Sequence, residues 1–247
     1  MRRFFTEPEN IKSNIAEIIE DAAHISRVLR MNPGDKILLF DGTGKEYTAV
    51  LKNISAKICT AEILSDTISL SEPKTKVSIY QALPKSGKME NIIQKSVELG
   101  VYEIIPVITD RIVSKLDGGK KENEKISRWN KVSTEAAKQC GRGILPKVLP
   151  PLSFENAINT MCESSFAIMP YEELGHSGVS NLKDVLKSCT SEKISVIIGP
   201  EGGFSDKESE YAKKQNVNLV GLGKRILRTE TVAPAIISAI MYEKNEF

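Results

Sequence analysis

Residues 197–206 read IIGPEGGFSD: apolar β-branched residues run into a turn made of Gly199, Pro200, Glu201, Gly202 and Gly203. A plain strand-to-helix connection needs one glycine at most. Gly202 and Gly203 remove side chains, so a ligand can approach the backbone closely. Pro200 stiffens the turn, and Glu201 is left as a polar handle. A second turn, GLGKRILRTET (221–231), places Gly221 and Gly223 around Leu222 and continues through Ile226, Leu227, Arg228, Thr229 and Glu230. A third stretch, MPYEELG (169–175), begins at Met169 after another apolar run. Together these stretches suit the wall of a pocket for one small ligand. Neither glycine turn has phosphate-cradle spacing, since GxxxxGK[ST] is absent and GPEGG is not GxGxxG. The chemistry they fit is a nucleoside cofactor held mainly through backbone groups. The alternative, glycines that merely turn the chain, suits one loop better than two on successive strands.

The elements that must carry these turns follow from hydrophobic pattern. From residue 77 apolar strands alternate with amphipathic helices, which predicts an α/β domain with a parallel sheet. VSIYQAL, VYEIIPVIT, SFAIMP, KISVIIG and VNLVGLG read as strands. MENIIQKSVELG, ISRWNKVSTEAAKQCG, FENAINTMC, NLKDVLKSC, SDKESEYAKKQ and VAPAIISAIMYEKN read as helices. Ser205 with Glu208 forms an S-x-x-E capping box that marks one helix start. Thr231 reads as the N-cap of the last helix, with Pro234 in its first turn. Ligands of parallel sheets bind beyond the carboxyl ends of the strands, where both glycine turns fall. Upstream, AEIIEDAAHISRVLR (16–30) has helical apolar spacing, and KILLFDGTGKEYTAVLKNI reads as a hairpin through Asp-Gly-Thr-Gly. AKICTAEIL adds a strand, and the polar stretch 65–76 reads as a linker. Residues 1–73 and 74–247 are thus expected to be separate domains.

Composition narrows the class. The chain has 247 residues, a net charge of +2 and no apolar run long enough to span a bilayer. MRRFFTEPEN lacks a following apolar segment, so no secretory signal is expected. Cys59, Cys140, Cys162 and Cys189 have neither zinc-site nor disulfide-framework spacing, which fits reduced thiols in a cytoplasmic protein and predicts no metal. The charge is uneven: residues 74–147 hold 15 basic and 8 acidic side chains, net +7, and the flanking stretches are net negative. Such a concentration fits a polyanionic partner; the alternative is a solvated, lysine-rich helix face.

MRRFF, VLRMNPGD, QALPKSGKME, SVELGVYEIIPV, EAAKQCGRGILP, IGPEGGF and LGKRILRTET occur in that order over nearly the whole chain. This series resembles the bacterial RsmE-type 16S rRNA (uridine-N3) methyltransferases of the SPOUT superfamily. The resemblance implies an N-terminal PUA-like RNA-binding β-barrel, followed by a SPOUT α/β domain with a C-terminal trefoil knot. It implies a homodimer, S-adenosyl-L-methionine as cofactor, and as substrate a uridine in helix 44 of small-subunit 16S rRNA, near the decoding region. DNA and membranes are not expected partners. Carried onto this chain, the cofactor loops are Gly199–Gly203 and Leu222–Thr231, with Met169–Glu172 as a third wall. One departure is visible: the family usually reads TETA where this chain has Thr229-Glu230-Thr231-Val232. The larger valine is expected to shift cofactor packing without abolishing binding.

Methylation at uridine N3 needs loss of a weakly acidic proton and stabilisation of the resulting imidate. Glu201 and Glu230 are the loop carboxylates, and Arg228 and Arg142 the candidate cations. Their simpler alternatives are a carboxylate at a helix N-terminus and an arginine on phosphate. Neither His24 nor His176 is placed to act as a base. For RNA the candidates are Arg2, Arg3, Lys85, Lys88, Lys138 and Arg142. Two rival classes remain open: a nucleotide-dependent enzyme of small molecules, which leaves the basic stretch unexplained, and a non-catalytic RNA-binding factor, which leaves the two loops unexplained.

Overall fold

Strand alternation in the first 72 residues yields a six-stranded sheet. Its strands are β1 (Arg2–Phe5), β2 (Ile11–Lys12), β3 (Ile15–Ile18), β4 (Lys36–Phe40), β5 (Lys45–Ile54) and β6 (Cys59–Ile68), in the order β1-β4-β5-β6-β3-β2. β1 runs parallel to β4, and the other neighbours are antiparallel. The computed structural model describes residues 1–85, 87–112, 119–172 and 181–247. The chain divides into two compact units, one of Met1–Glu72 with Ala137–Leu145, the other of Pro73–Ala136 with Pro146–Phe247.

In the first unit the β4–β5 hairpin turns as its sequence predicts. Asp41 Oδ1 accepts from the Thr43 backbone N–H at 2.8 Å, and its other oxygen accepts from the Tyr47 hydroxyl at 2.9 Å. Burial and this carboxylate push the Tyr47 phenol up to about 12. Phe4, Ile18, Ile25, Ile37, Leu39 and Leu51 form the core.

Two expectations fail here. Residues 16–30 are not one helix: Ile15–Ile18 is a strand, and only His24–Val28 coils, as a single π-helical turn. Ala16 and Ile18 are fully buried while Ile19 and Val28 are exposed, a period of two rather than 3.6. Pairing with β6 overrides the local helical spacing. Nor are residues 65–76 a free linker. β6 continues to Ile68, the Ser69 N–H donates to Gly44 O at 2.8 Å, and the Ser71 hydroxyl donates to Gly141 O at 2.9 Å. Glu72 accepts from Arg142 Nη2 at 2.7 Å and from the Gly143 and Ile144 N–H groups at 2.8 and 3.0 Å.

The second unit is the expected α/β layer. Its strands are β7 (Lys76–Ala82), β8 (Glu103–Ile108), β9 (Lys147–Val148), β10 (Leu152–Ser153), β11 (Phe166–Pro170), β12 (Lys193–Ile198) and β13 (Asn218–Val220). All pair in parallel, in the order β10-β8-β7-β12-β11-β13 with β9 beside β8. The helices are α1 (Lys88–Glu98), α2 (Lys120–Cys140), α3 (Phe154–Ser164), α4 (Leu182–Ser188), α5 (Asp206–Lys214) and α6 (Thr229–Glu243). α3 and α5 pack together on one side of the sheet, where Phe154, Ile158 and Met161 meet Tyr80, Met169 and Phe204. α1 packs against α6. No helix among the described residues is long and apolar enough to cross a membrane. All four cysteines are free.

Helix boundaries follow local chemistry. The capping box of α5 is present in both directions, and Gly100 closes the end of α1 at φ 92°. The polar, basic stretch TDRIVSKLDGGKKENEK (109–125) reads from sequence as a loop, but α2 starts at Lys120, six residues before its apolar stripe at Ile126, so residues 120–125 are helical. Asp117 and Gly118, read as part of that loop, lie outside the described residues. α6 begins at Thr229, with Arg228 rather than Thr231 as its N-cap. Arg228 O accepts from the Thr231 and Val232 N–H groups at 2.7 and 3.1 Å. Pro234 therefore sits inside the helix, where its missing N–H leaves the Glu230 carbonyl without the usual donor.

Arg142 is 4% exposed, so its pairing with Glu72 is a buried charge pair. Removing one partner of such a pair strands the other. Glu72→Gln is expected to cost the first unit about 3 kcal/mol, read as a lower urea midpoint.

Candidate functional site

The carboxyl ends of β11, β12 and β13 lie side by side, and loops follow β12 and β13. These loops enclose a cavity of about 430 Å³, within the range of small-molecule sites. Gly199, Pro200, Glu201 and Gly203 line it from one loop, and Leu222, Gly223, Ile226, Leu227, Arg228 and Thr229 from the other. Pro170, Tyr171 and Glu172 form a third wall; Glu173–Gly175 of the same sequence stretch lie outside the described residues. Met169 does not reach the cavity lining. It is fully buried in the core below, beside Phe154 and Phe204.

The glycines of the first loop serve different ends. Gly203 adopts φ +67° with open space around its missing side chain, and Gly223 in the second loop adopts φ +89°. Backbone conformation reserves both positions for glycine. At Gly202 a Cβ would meet Arg111 Cβ at 3.3 Å, and the Arg111 guanidinium donates to Gly202 O at 3.0 Å. Gly202 thus makes room for an arginine of the chain rather than facing the cavity. At Gly199 a Cβ would meet the Phe204 ring at 3.1 Å.

A buried relay ties these loops to the sheet. Gln81 Nε2, at the end of β7, donates to Thr229 Oγ1 at 2.9 Å, and the Thr229 hydroxyl donates to Gly199 O at 2.8 Å. Gln81 is fully buried and Thr229 is 5% exposed.

A charge cluster closes the side of the cavity nearest α1. Lys88 Nζ lies 2.9 Å from Glu201 Oε1 and 3.1 Å from Glu230 Oε2. Glu201 also accepts from the Lys85 N–H at 3.2 Å. Both carboxylates hold the Lys88 ammonium above its ordinary value by hydrogen bonds, Glu201 first. Partial burial pushes Glu201 up, but Lys88 and the backbone N–H donors outweigh it and leave it below the usual carboxylate value. Glu230 is held low by its own backbone N–H, against burial, with Lys88 and Arg228 adding to the effect. A carboxylate so held is a weak proton acceptor.

The other candidates are placed as follows. Arg3 donates to Glu46 at 2.8 Å and to the Gly141 and Arg142 carbonyls at 2.9 and 2.6 Å. Lys138 lies 3.1 Å from Asp21, and Arg142 is the buried partner of Glu72; all of these contacts lie in the first unit. Arg2 and Lys85 are exposed. Lys88, read from sequence as a phosphate contact, lines the cavity instead. Lys224 and Arg225 of the Leu222–Thr231 loop and Val232 also line it, as do Arg111 and Phe204, which were not singled out from sequence as site residues. Arg111 carried one usable signal, since it follows β8 at the same carboxyl edge.

Two outcomes follow from this geometry. Thr229→Val keeps shape but removes the donor to Gly199 O and one of the two acceptors of Gln81 Nε2, which keeps its bond to Ala82 O, so the second unit should lose about 2 kcal/mol in a denaturant titration. The second concerns pH. Glu201 and Glu230 are lowered from 4.5, so their stabilisation is full above that value and is lost as pH falls through their folded-state values. Lys88→Met raises both carboxylates toward 4.5 and should therefore flatten the acid limb of the melting-temperature profile below about pH 4.5.

Comparison with known proteins gives the family. Residues 71–241 match the family described as RNA methyltransferase domain, and residues 20–64 match RNA methyltransferase PUA domain. Ribosomal RNA small subunit methyltransferase E of Bacillus subtilis is 36% identical over 91% of this chain and 88% of its own length. The protein of the same name from Synechocystis is 31% identical over 97% of this chain and 78% of its own. A crystal structure of ribosomal RNA small subunit methyltransferase E from Neisseria gonorrhoeae, bound to S-adenosyl methionine, superposes with a TM-score of 0.87 at 32% identity, covering 98% of this chain and 97% of that one. The parallel sheet, the loops at its carboxyl edge and these full-length likenesses together place the chain in the ribosomal RNA small subunit methyltransferase E family.

Proposed function

We propose that the cavity binds S-adenosyl-L-methionine and that the protein methylates N3 of a uridine in helix 44 of 16S rRNA, near the decoding region of the small ribosomal subunit. The observation that carries this reading is the cavity itself: two glycine-bearing loops from β12 and β13 wall one space of about 430 Å³. Its chemistry fits the cofactor. Apolar Ile198, Leu222 and Leu227 offer contact to a purine and ribose, exposed loop backbone offers hydrogen bonds, and Glu172 and Asp206 offer negative charge to a cationic ligand. The bound cofactor would supply an electrophilic methyl group. The chain's own task is then to position and desolvate the acceptor base, the larger part of catalysis for an in-line displacement.

Residues 1–73 are assigned to RNA binding and 74–247 to methyl transfer. The match of residues 20–64 to a PUA domain supports the first assignment. Arg2 and Lys85 remain RNA contacts in this reading, because both are exposed, and Lys224 and Arg225 join them at the cavity. Arg228 is retained as a cation near the acceptor base. Closure of the six strands into a barrel, a C-terminal trefoil knot, a homodimer and a cytoplasmic location belong to the same reading. The strand order β12-β11-β13, in which the chain passes beyond β11 after leaving β12, supports the knot. Exposed Ile226, Tyr242 and Phe247 support a dimer.

Titration calorimetry with S-adenosyl-L-methionine, and NAD(H) as control, tests the cofactor. Binding of the first alone supports the reading, whereas exclusive binding of NAD(H) moves the protein to another enzyme class. Tritium transfer from the labelled cofactor to unmodified small-subunit rRNA, free or assembled with its proteins, tests the reaction. Paired charge neutralisation at Lys224 and Arg225 should reduce the salt slope of RNA binding by about 2. An unchanged slope removes both residues from the RNA surface.

A further inference from the structure

Lys88 occupies an unusual place for a lysine. It is the first residue of α1, where the helix dipole disfavours a cation. Such local conflicts concentrate where function compensates them. Here the compensation is visible: Glu201, from the loop after β12, and Glu230, from the first turn of α6, converge on its ammonium at 2.9 and 3.1 Å. The carboxylates hold the group at the cavity wall, where its side chain remains 29% exposed. Two carboxylates thus flank an ammonium that carries three N–H donors.

We propose that Lys88 is a catalytic residue whose ammonium donates to a carbonyl oxygen of the acceptor uracil, stabilising the base as its anion. This inference rests on the proposed modification of uridine N3. Breaking the N3–H bond sends the proton to solvent water and leaves the electron pair on N3, delocalised onto O2 and O4. Lys88 would meet that charge at the oxygen where it accumulates, as a donor fixed in advance. Its raised pKa keeps the ammonium charged throughout, so it acts as an electrostatic donor and not as a proton shuttle. Glu201 and Glu230 then orient the lysine and do not take the proton. This differs from a phosphate contact, in which Lys88 would affect RNA affinity regardless of the base.

The test compares wild type with Lys88→Gln and Lys88→Arg, each checked for cofactor affinity by calorimetry and for its melting temperature. With cofactor and rRNA saturating, Lys88→Gln should lower kcat about 100-fold while cofactor affinity stays near that of wild type. The alkaline rise of kcat should move to higher pH, and Lys88→Arg should restore part of the rate. An activity-independent readout uses RNA alone. Helix 44 fragments carrying 5-fluorouridine, whose N3 proton is more acidic, should bind wild type more tightly as pH rises from 6.5 to 8.5, and Lys88→Gln should lose that dependence. If Lys88→Gln binds the fluorinated RNA with the wild-type pH dependence, or keeps kcat, the proposal fails and Lys88 is a structural clamp. If wild type transfers no methyl group to N3 of any uridine, the functional reading fails first, an outcome separate from the variant comparison.

Discussion

Every functional group in the second unit hangs from the carboxyl edge of one parallel sheet. The register makes that edge level: Ile198 of β12 stands opposite Gln81 of β7, and Pro170 of β11 stands opposite Val220 of β13. Parallel pairing with both faces covered requires near-continuous apolar strands, which KISVII and EIIPVI supply. The loops begin where the apolar runs stop. Polar groups there need partners, because unpaired groups in a dry interior are costly. The Gln81–Thr229–Gly199 relay meets this need by joining a strand end, a helix start and a loop through one hydroxyl. The same relay explains why Thr229 does not cap α6 with its side chain. Its hydroxyl is already committed to the loop, and the helix is capped by Arg228 without a side-chain bond.

The cavity illustrates why a glycine-rich motif is informative and incomplete at once. Gly199, Gly202 and Gly203 stand within five residues of one another, yet an aromatic ring, an arginine stem and a left-handed backbone account for them separately. Only the last is a demand of backbone conformation. The motif announces a crowded turn, and the crowding comes mostly from the protein itself. Arg111 and Phe204 pack against Gly202 and Gly199 and themselves line the cavity. Part of the cavity wall is thus supplied by the side chains for which the glycines make room.

Much of the second unit was legible because long, periodic segments dominate it. The apolar strands, the α5 capping box and the two glycine loops all stand where the pattern puts them. Residues 16–30 were misread because Ile15–Ile18 and His24–Val28 are too short to show a period, and their apolar residues run together into a false helical one. The place of Lys88 at the cavity was not legible for a different reason. Its partners Glu201 and Glu230 lie more than a hundred positions away, and composition around Lys88 is basic. Arg142 likewise sits in a basic stretch, while the carboxylate that neutralises it is Glu72. Charge runs in sequence count formal charge, whereas a fold presents what remains after pairing.

That remainder reshapes the electrostatic argument. The stretch 74–147 carries net +7, but Lys88 faces Glu201 and Glu230, Arg142 faces Glu72, and Lys138 faces Asp21, all carboxylates from outside it. These contacts convert excess charge into local structure, leaving less of it to attract a polyanion. The exposed cations at the cavity, Lys224 and Arg225, come instead from a stretch that is net negative over its length. They belong to the same loop as Leu222 and Thr229, which line the cavity a few residues away. A polyanion drawn to them arrives at the cavity mouth. In the proposed reading, steering and cofactor binding therefore share one loop at the sheet edge, whatever the bulk charge of the chain.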